Sequence, residues 1–416
     1  GRGPPFLRWS RDARRADDIR LVTGVSAAHF VSHYYILVLP PLFIHLREAF
    51  NVSYAELGVA LAVMSLASAL LQVPIGFMVD RIGARVVLLT GLCVVSLATA
   101  LMGLCTTYWQ LLVLSFVAGA GNAVFHPTDY AILNSSISQH RMGRAFSIHT
   151  FTGHIGSAAA PVVMIALTQA FGWRTALVVV GLAGLLAMVL VISQWGALRE
   201  DVAAPAPRTD AKDKSAQPPA APLASSLAIV FSPPMLMFFV FFTVLSMMQT
   251  GMQAFVATAL VALHDTPLTL ANFALSAYLF ASAAGVLIGG EISDRWERHD
   301  LVAAVVFIGS GAVALALAWF SLGAAMLIGL MILIGLGQGA TRPARDMMLR
   351  AATPKGATGG VFGFVTSGIA VGSALAPIPL GWLLDIGKPV WVFYLLAIFM
   401  ALALASMLGQ RALARA

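Results

Sequence analysis

Charge is what this sequence has least of. Asp, Glu, Lys and Arg together make up 10% of 416 residues, against roughly 25% in an ordinary soluble domain. So few charges cannot cover a water-facing surface of this size, which excludes a soluble enzyme. Cysteine is nearly absent as well, with only Cys93 and Cys105 in the chain. They lie in one apolar run, and if that run is helical they stand about 18 Å apart along its axis, beyond the reach of a disulfide. A disulfide scaffold and a cysteine-zinc site are excluded with it.

What remains is apolar. Hydrophobic residues reach 59% and the mean hydropathy is +0.87, the composition of a polytopic membrane protein. Apolar runs fall near 21–46, 54–78, 86–105, 109–133, 144–170 and 175–196, and again near 232–262, 268–292, 301–321, 324–349, 359–384 and 389–409. Each is long enough to cross a bilayer as a helix, the open-chain element that satisfies its own backbone in lipid. The first run is too long for the apolar segment of a cleavable signal peptide.

The net charge of +7 has an address. Twenty of the 25 Lys and Arg residues fall on one set of alternate connections and the tails; three, Arg47, Arg174 and Lys388, fall on the other set. Arg342 and Arg345 lie inside a run. This asymmetry predicts cytoplasmic termini and a cytoplasmic middle loop, and it accounts for the basic excess without a nucleic-acid partner. The expected division is a basic tail over 1–20, a six-helix bundle over 21–197, a linker over 198–225, a second bundle over 226–410 and a tail over 411–416. The linker is rich in Ala and Pro and carries mixed charge, the composition of a solvated connection.

The two halves repeat each other. Ala118-Gly119-Ala120-Gly121-Asn122 aligns with Ile334-Gly335-Leu336-Gly337-Gln338, and the same register carries Pro127 onto Pro343, Thr150 onto Thr366, Gly156-Ser157-Ala158 onto Gly372-Ser373-Ala374 and Pro161 onto Pro377. Duplicated helical units are a common construction of secondary transporters, with the solute bound where the repeats meet.

After the second run comes Gly76-Phe-Met-Val-Asp80-Arg81-Ile-Gly83-Ala84-Arg85, a compact charge cluster with a glycine suited to a tight reversal. A worn copy follows the eighth run, Gly290-Glu-Ile-Ser-Asp294-Arg295-Trp-Glu-Arg298. This pattern resembles the signature of the major facilitator superfamily. A narrower likeness, to the fosmidomycin-resistance branch, rests on His29, Ser68-Ala-Leu-Leu-Gln72, Gly121-Asn-Ala-Val-Phe-His-Pro127 and Gly153-His-Ile-Gly-Ser157. The resemblance implies an all-α fold of twelve transmembrane helices, built as two pseudo-symmetric six-helix bundles around a central cavity lined by helices 1, 4, 7 and 10. It also implies proton-driven transport, often drug efflux, of small polar or anionic solutes. The chain departs from the branch at two charged places. Ser32-His33 stands where relatives have Asn-Asp, and Thr128 stands where they have Glu, with Asp129 one position later.

Ionisable groups inside spans are costly and usually face a cavity or a partner. Arg342 keeps its proton and requires an anion, which a carboxylate or phosphonate would supply with a bidentate pair; an internal pair with Asp346, one turn on, is the alternative. The register sets His126 opposite Arg342, each just before a proline. The expected solute contacts are Arg342, His126, His29, His33, Tyr34, Gln249, Gln253, Tyr278 and Gln338. The expected proton carriers are His33, His126 and Asp129, since imidazole titrates near physiological pH. The expected gates are the loop charges Asp80, Arg81, Arg85 and Asp294, with Asp129 and Arg345 at equivalent positions of the repeat. His29, His33, His126, His149 and His154 also offer a metal set, although His29-x-x-x-His33 lacks the Glu of a zinc hydrolase.

The sequence thus reads as a monomeric inner-membrane transporter of a small organic anion, coupled to protons and using no cofactor. The alternatives are drug or phosphonate efflux and transition-metal transport. A membrane sensor would need a signalling domain, and an intramembrane enzyme a nucleophile-base motif; neither is visible.

Overall fold

The computed structural model describes residues 13–137, 139–194, 232–296, 298–353 and 358–415. The expected linker at 198–225, the tail up to residue 12 and Lys355 lie outside the described residues, as do the side chains of Asp294 and of 411–416. Among the described residues every regular element is helical: α1 Ala13–Ile36, α2 Phe43–Phe50, α3 Tyr54–Ile82, α4 Ala84–Met102, α5 Tyr108–Asn122, α6 Phe125–Ser136 and α7 Gln139–Ser193; then α8 Pro233–His264, α9 Leu268–Arg295, α10 His299–Trp319, α11 Ala324–Ala352, α12 Thr358–Leu375, α13 Pro377–Asp385 and α14 Val390–Arg415, with one 3-10 turn at Pro40–Leu42.

Eleven helical stretches among the described residues are long and apolar enough to cross a bilayer. One of them, Arg141–Ser193, has 53 residues and would extend about 80 Å as a straight helix, against a hydrocarbon core of about 30 Å. It breaks at Gly172, whose φ of 81° and ψ of 155° are not helical. The break falls between the expected runs 144–170 and 175–196, so the stretch supplies two crossings and the twelve apolar runs are all helical.

The local causes can be read from the chain. Gly83 takes φ 93° between α3 and α4, a conformation that a β-carbon disfavours. Thr107 and Gln110 cap the start of α5 reciprocally, as a Thr-x-x-Gln box does. The fourth run splits into α5 and α6 at residues 123–124, because Pro127 has no N–H to offer the carbonyl of Ala123. The eleventh run splits just before Pro377 for the same reason. Pro161 and Pro343 are instead accommodated inside continuous helices.

The chain forms two compact units. The first takes Gly1–Ile36, Ala67–Ala160 and Leu167–Pro207. Its interior is built around buried Leu88, Leu92, Leu111, Phe125 and Leu133. The second takes Leu37–Leu66, Pro161–Ala166 and Arg208–Ala416, so the start of α3 belongs with the helices of the second repeat. Phe241, Phe242 and Phe307 pack together in its interior, and Phe43 meets Phe255 edge to face at 5.5 Å. Large exposed side chains such as Leu70, Val73, Phe77, Leu186 and Val305 sit on helices long and apolar enough to cross a bilayer.

Candidate functional site

Asp129 is the centre of a cluster inside the first unit. It lies on α6, two residues after Pro127, and is fully buried. Its Oδ2 stands 3.2 Å from Nδ1 of His29 on α1 and 3.4 Å from Nε2 of His149 on α7. The rings of His29 and His149 stack with centroids 3.8 Å apart. His126, one turn before Asp129, has its ring 5.7 Å from that of His29 and 6.4 Å from that of His33. His33 lies 4.5 Å from His29, its Nδ1 is 3.3 Å from Ser157 Oγ, and His154 stands 6.2 Å beyond. Three crossing segments thus bring five imidazoles and one carboxylate into a single group.

The packing that permits this is local. A β-carbon on Gly153 would fall 2.6 Å from the His29 ring and 3.0 Å from that of His33, so glycine at 153 leaves room for the histidine pair of α1. Ser32 Oγ donates to Asn122 Oδ1 at 2.6 Å and ties α1 to the end of α5. Thr128 turns its hydroxyl back to the carbonyl of Val124 at 2.8 Å, leaving Asp129 as the acid aimed at α1 and α7.

A carboxylate buried among imidazoles can do two things. It can hold and release a proton shared with the histidines, since Asp, imidazole and imidazolium exchange charge within one hydrogen-bonding distance. It can also ligate a cation: donor atoms of His29, Asp129 and His149 all lie within 4.8 Å of one another, and neutral imidazole with carboxylate is a common ligand set.

The second unit holds Arg342, Tyr278, Gln338, Gln249 and Gln253, while Tyr34 and the loop charges Asp80, Arg81 and Arg85 lie in the first. Arg342 is half-buried on α11, within electrostatic reach of Tyr278 on α9. Tyr278 donates to Gln338 Oε1 at 3.4 Å, and Gln338 Nε2 meets Met248 Sδ at 3.3 Å. Gln249 and Gln253 are half-buried on α8. Arg345 places its guanidinium 4.6 Å over the Phe242 ring and donates from Nε to Asp346 at 3.0 Å. Asp346 therefore has Arg345 as a partner, not solely the Arg342 that the one-turn spacing suggests. Tyr34 is buried on α1, its ring 6.2 Å from Phe30. Asp80 and Arg81 are exposed at the end of α3, and Arg85 is half-buried at the start of α4. The sequence set His149 beside His29 and His126 only as a candidate metal set and did not place it against Asp129; Gly153 marks the turn of α7 that α1 crosses.

Paired helical repeats with ionisable side chains buried in helices apolar enough to cross a bilayer make a polytopic membrane architecture. The chain belongs to the Major Facilitator Superfamily, whose profile matches residues 25–265 and 241–413. It is a transporter and not an enzyme, and a multi-pass inner-membrane protein. It is similar to the Fosmidomycin resistance protein of Escherichia coli (strain K12), 25% identical over 293 residues, which are 68% of this chain and 67% of that one. It is also similar to a protein named "Probable L-galactonate transporter" from the same strain, 29% identical over 140 residues, 34% of this chain and 31% of that one; that match spans about a third of the relative's length. The fold is shared with a bacterial homologue of the human lysosomal transporter Spinster, at a TM-score of 0.74 and 15% identity over 96% of this chain and 98% of that one.

Proposed function

We propose that the protein moves a small organic anion across the inner membrane by alternating access, coupled to protons, with its termini in the cytoplasm. The observation that carries this reading is the buried Asp129 between His29 and His149. A group of this composition, held on crossing helices, is costly unless it works, and it offers a proton site made of α1, α6 and α7. Arg342 is the anion's anchor in this reading, because its planar guanidinium matches a carboxylate or phosphonate with a bidentate pair. Tyr278 and Gln338 add hydrogen bonds beside it. The likeness to a galactonate transporter supports a carboxylate solute. The likeness to a fosmidomycin resistance protein supports the second direction, proton-driven efflux of a drug or phosphonate.

Proton and solute are linked as follows. The groups that face Asp129 are His29 from α1, His149 from α7 and His126 from its own helix, with His33 and His154 in the outer ring of the cluster. Taking up one proton adds positive charge to the protein, and binding an anion offsets it. Each event therefore favours the other.

A thermal-shift panel on the purified protein tests the reading. Carboxylates and phosphonates should raise the melting point through mass action, and lipophilic cations should not. A rise with divalent transition metals alone would replace the proton site with a metal cargo at the same three residues.

A further inference from the structure

The first turn of α3 is capped by a residue from the far end of the chain. Ser53 and Glu56 cap each other locally: Ser53 N–H donates to Glu56 Oε2 at 2.7 Å, and Glu56 N–H donates to Ser53 Oγ at 3.1 Å. Leu57 N–H reaches the carbonyl of Ser53 at 3.2 Å. That leaves two orphan donors in the turn, and Asp385 takes both. Tyr54 N–H donates to its Oδ1 at 2.7 Å, and Ala55 N–H to its Oδ2 at 2.9 Å. A bidentate carboxylate at a helix N-terminus meets both the free N–H groups and the positive end of the dipole.

The backbones are close enough for this because two glycines remove side chains from the seam. A β-carbon on Gly381 would lie 2.4 Å from the carbonyl oxygen of Tyr54, and one on Gly58 would lie 2.6 Å from that of Pro377. All these residues belong to the second compact unit. In sequence, however, α3 is part of the first six-helix repeat and α13 part of the second. The repeat register sets Gln169 at the position equivalent to Asp385, so the first repeat has no carboxylate to offer in return.

We infer that Asp385 is a positioning residue for transport: a detachable cap that holds α3 and α13 together at one mouth of the transporter and releases them when that mouth opens. Alternating access moves one repeat against the other, and a bond between repeats must break in that motion if the mouth is to widen. Asp385 suits the task, because an N-terminal N–H and a carboxylate each bond water when they part. Neither partner is left stranded in either state. The mouth is the one opposite the basic connections, since α2–α3 and α13–α14 are joined by the chain near Arg47 and Lys388. The inference rests on the superfamily's alternating access and is independent of the solute and of proton coupling.

Double electron–electron resonance tests it, with nitroxides at Glu48 and Lys388, both exposed, in a background with Cys93 and Cys105 replaced. The unaltered seam should give one predominant short distance. Asp385→Ala should shift the short-to-long population ratio by about tenfold, the scale of a lost charge-assisted bond pair after water substitution. Gly381→Leu, a wedge, should shift it the same way, while Gln169→Ala should leave it unchanged. Asp385→Asn, which keeps the volume and loses the charge, should fall between, and it serves if the alanine variant does not fold. An unchanged distribution in folded Asp385→Ala or Asp385→Asn overturns the inference. A failure of solute binding or of proton flux would leave this distribution as it is, so the two readings fail separately.

Discussion

Gly153 and His29 meet across the seam between α7 and α1, with the position of a Gly153 β-carbon only 2.6 Å from the imidazole Nε2. The atom in the way is the end of a side chain, so an added methyl group moves the imidazole first and the helices second. Gly153→Ala should cost about 1–3 kcal/mol of stability, the usual range for overpacking. It should also reduce coupled transport well beyond that cost, because His29 then leaves Asp129. Melting temperature and solute uptake, measured on the same preparation, check this; uptake that tracks stability alone would argue against it.

Arg342→Lys keeps the charge but removes the planar fork, so affinity for a carboxylate or phosphonate solute should fall by about tenfold or more, each tenfold being about 1.4 kcal/mol. Arg342→Ala should abolish measurable binding. Titration calorimetry on the detergent-purified variants gives the comparison. Unchanged affinity in the alanine variant would remove Arg342 from the anion site.

Binding should tighten as pH falls from about 8 to about 6, the span in which imidazole takes up its proton. The sign follows from charge: the protonated cluster is more positive, the solute is negative, and linkage requires that bound anion raise proton affinity by the same factor. Asp129→Asn should flatten the slope while retaining binding, since the amide keeps the volume and does not titrate. Affinity measured at five pH values for both proteins checks it. A flat wild-type profile would point to a uniport.

The architecture was largely legible in the sequence, and the contacts were not. Twelve apolar runs became helical because length and hydropathy are local quantities, whereas which prolines interrupt a helix was not legible: Pro127 and Pro377 do, and their repeat equivalents Pro343 and Pro161 do not. His29, His33 and His126 stood out as ionisable groups in apolar runs. The sequence set them with His149 and His154 only as a candidate metal set; that Asp129 stands between His29 and His149 depends on how α6 and α7 are rotated toward α1, which no single-helix periodicity states. Asp346 next to Arg345 shows the same limit, since one-turn spacing favoured Arg342 and an adjacent side chain reached it. Asp385 carried no signal at all: it is a lone acid at the end of a run, and its partners Tyr54 and Ala55 are 331 and 330 residues away.

The topology prediction rests on the basic asymmetry alone. A phosphatase fused after Arg415 should be inactive and a fluorescent reporter at the same site bright, which places the C-terminus in the cytoplasm. The opposite pattern would invert the chain and exchange the side of the membrane at which Asp385 acts.

The central claim is that Asp129, with its two histidine neighbours, carries the proton that the solute moves with or against. Its most direct test is solute-driven proton movement in proteoliposomes holding a trapped pH indicator, with no other ion gradient. Adding the solute identified by thermal shift should change the internal pH in the reconstituted wild type. Asp129→Asn should bind the same solute yet leave the pH unchanged, because an amide of equal size carries no proton. Solute-driven pH change of wild-type size in Asp129→Asn would contradict the account.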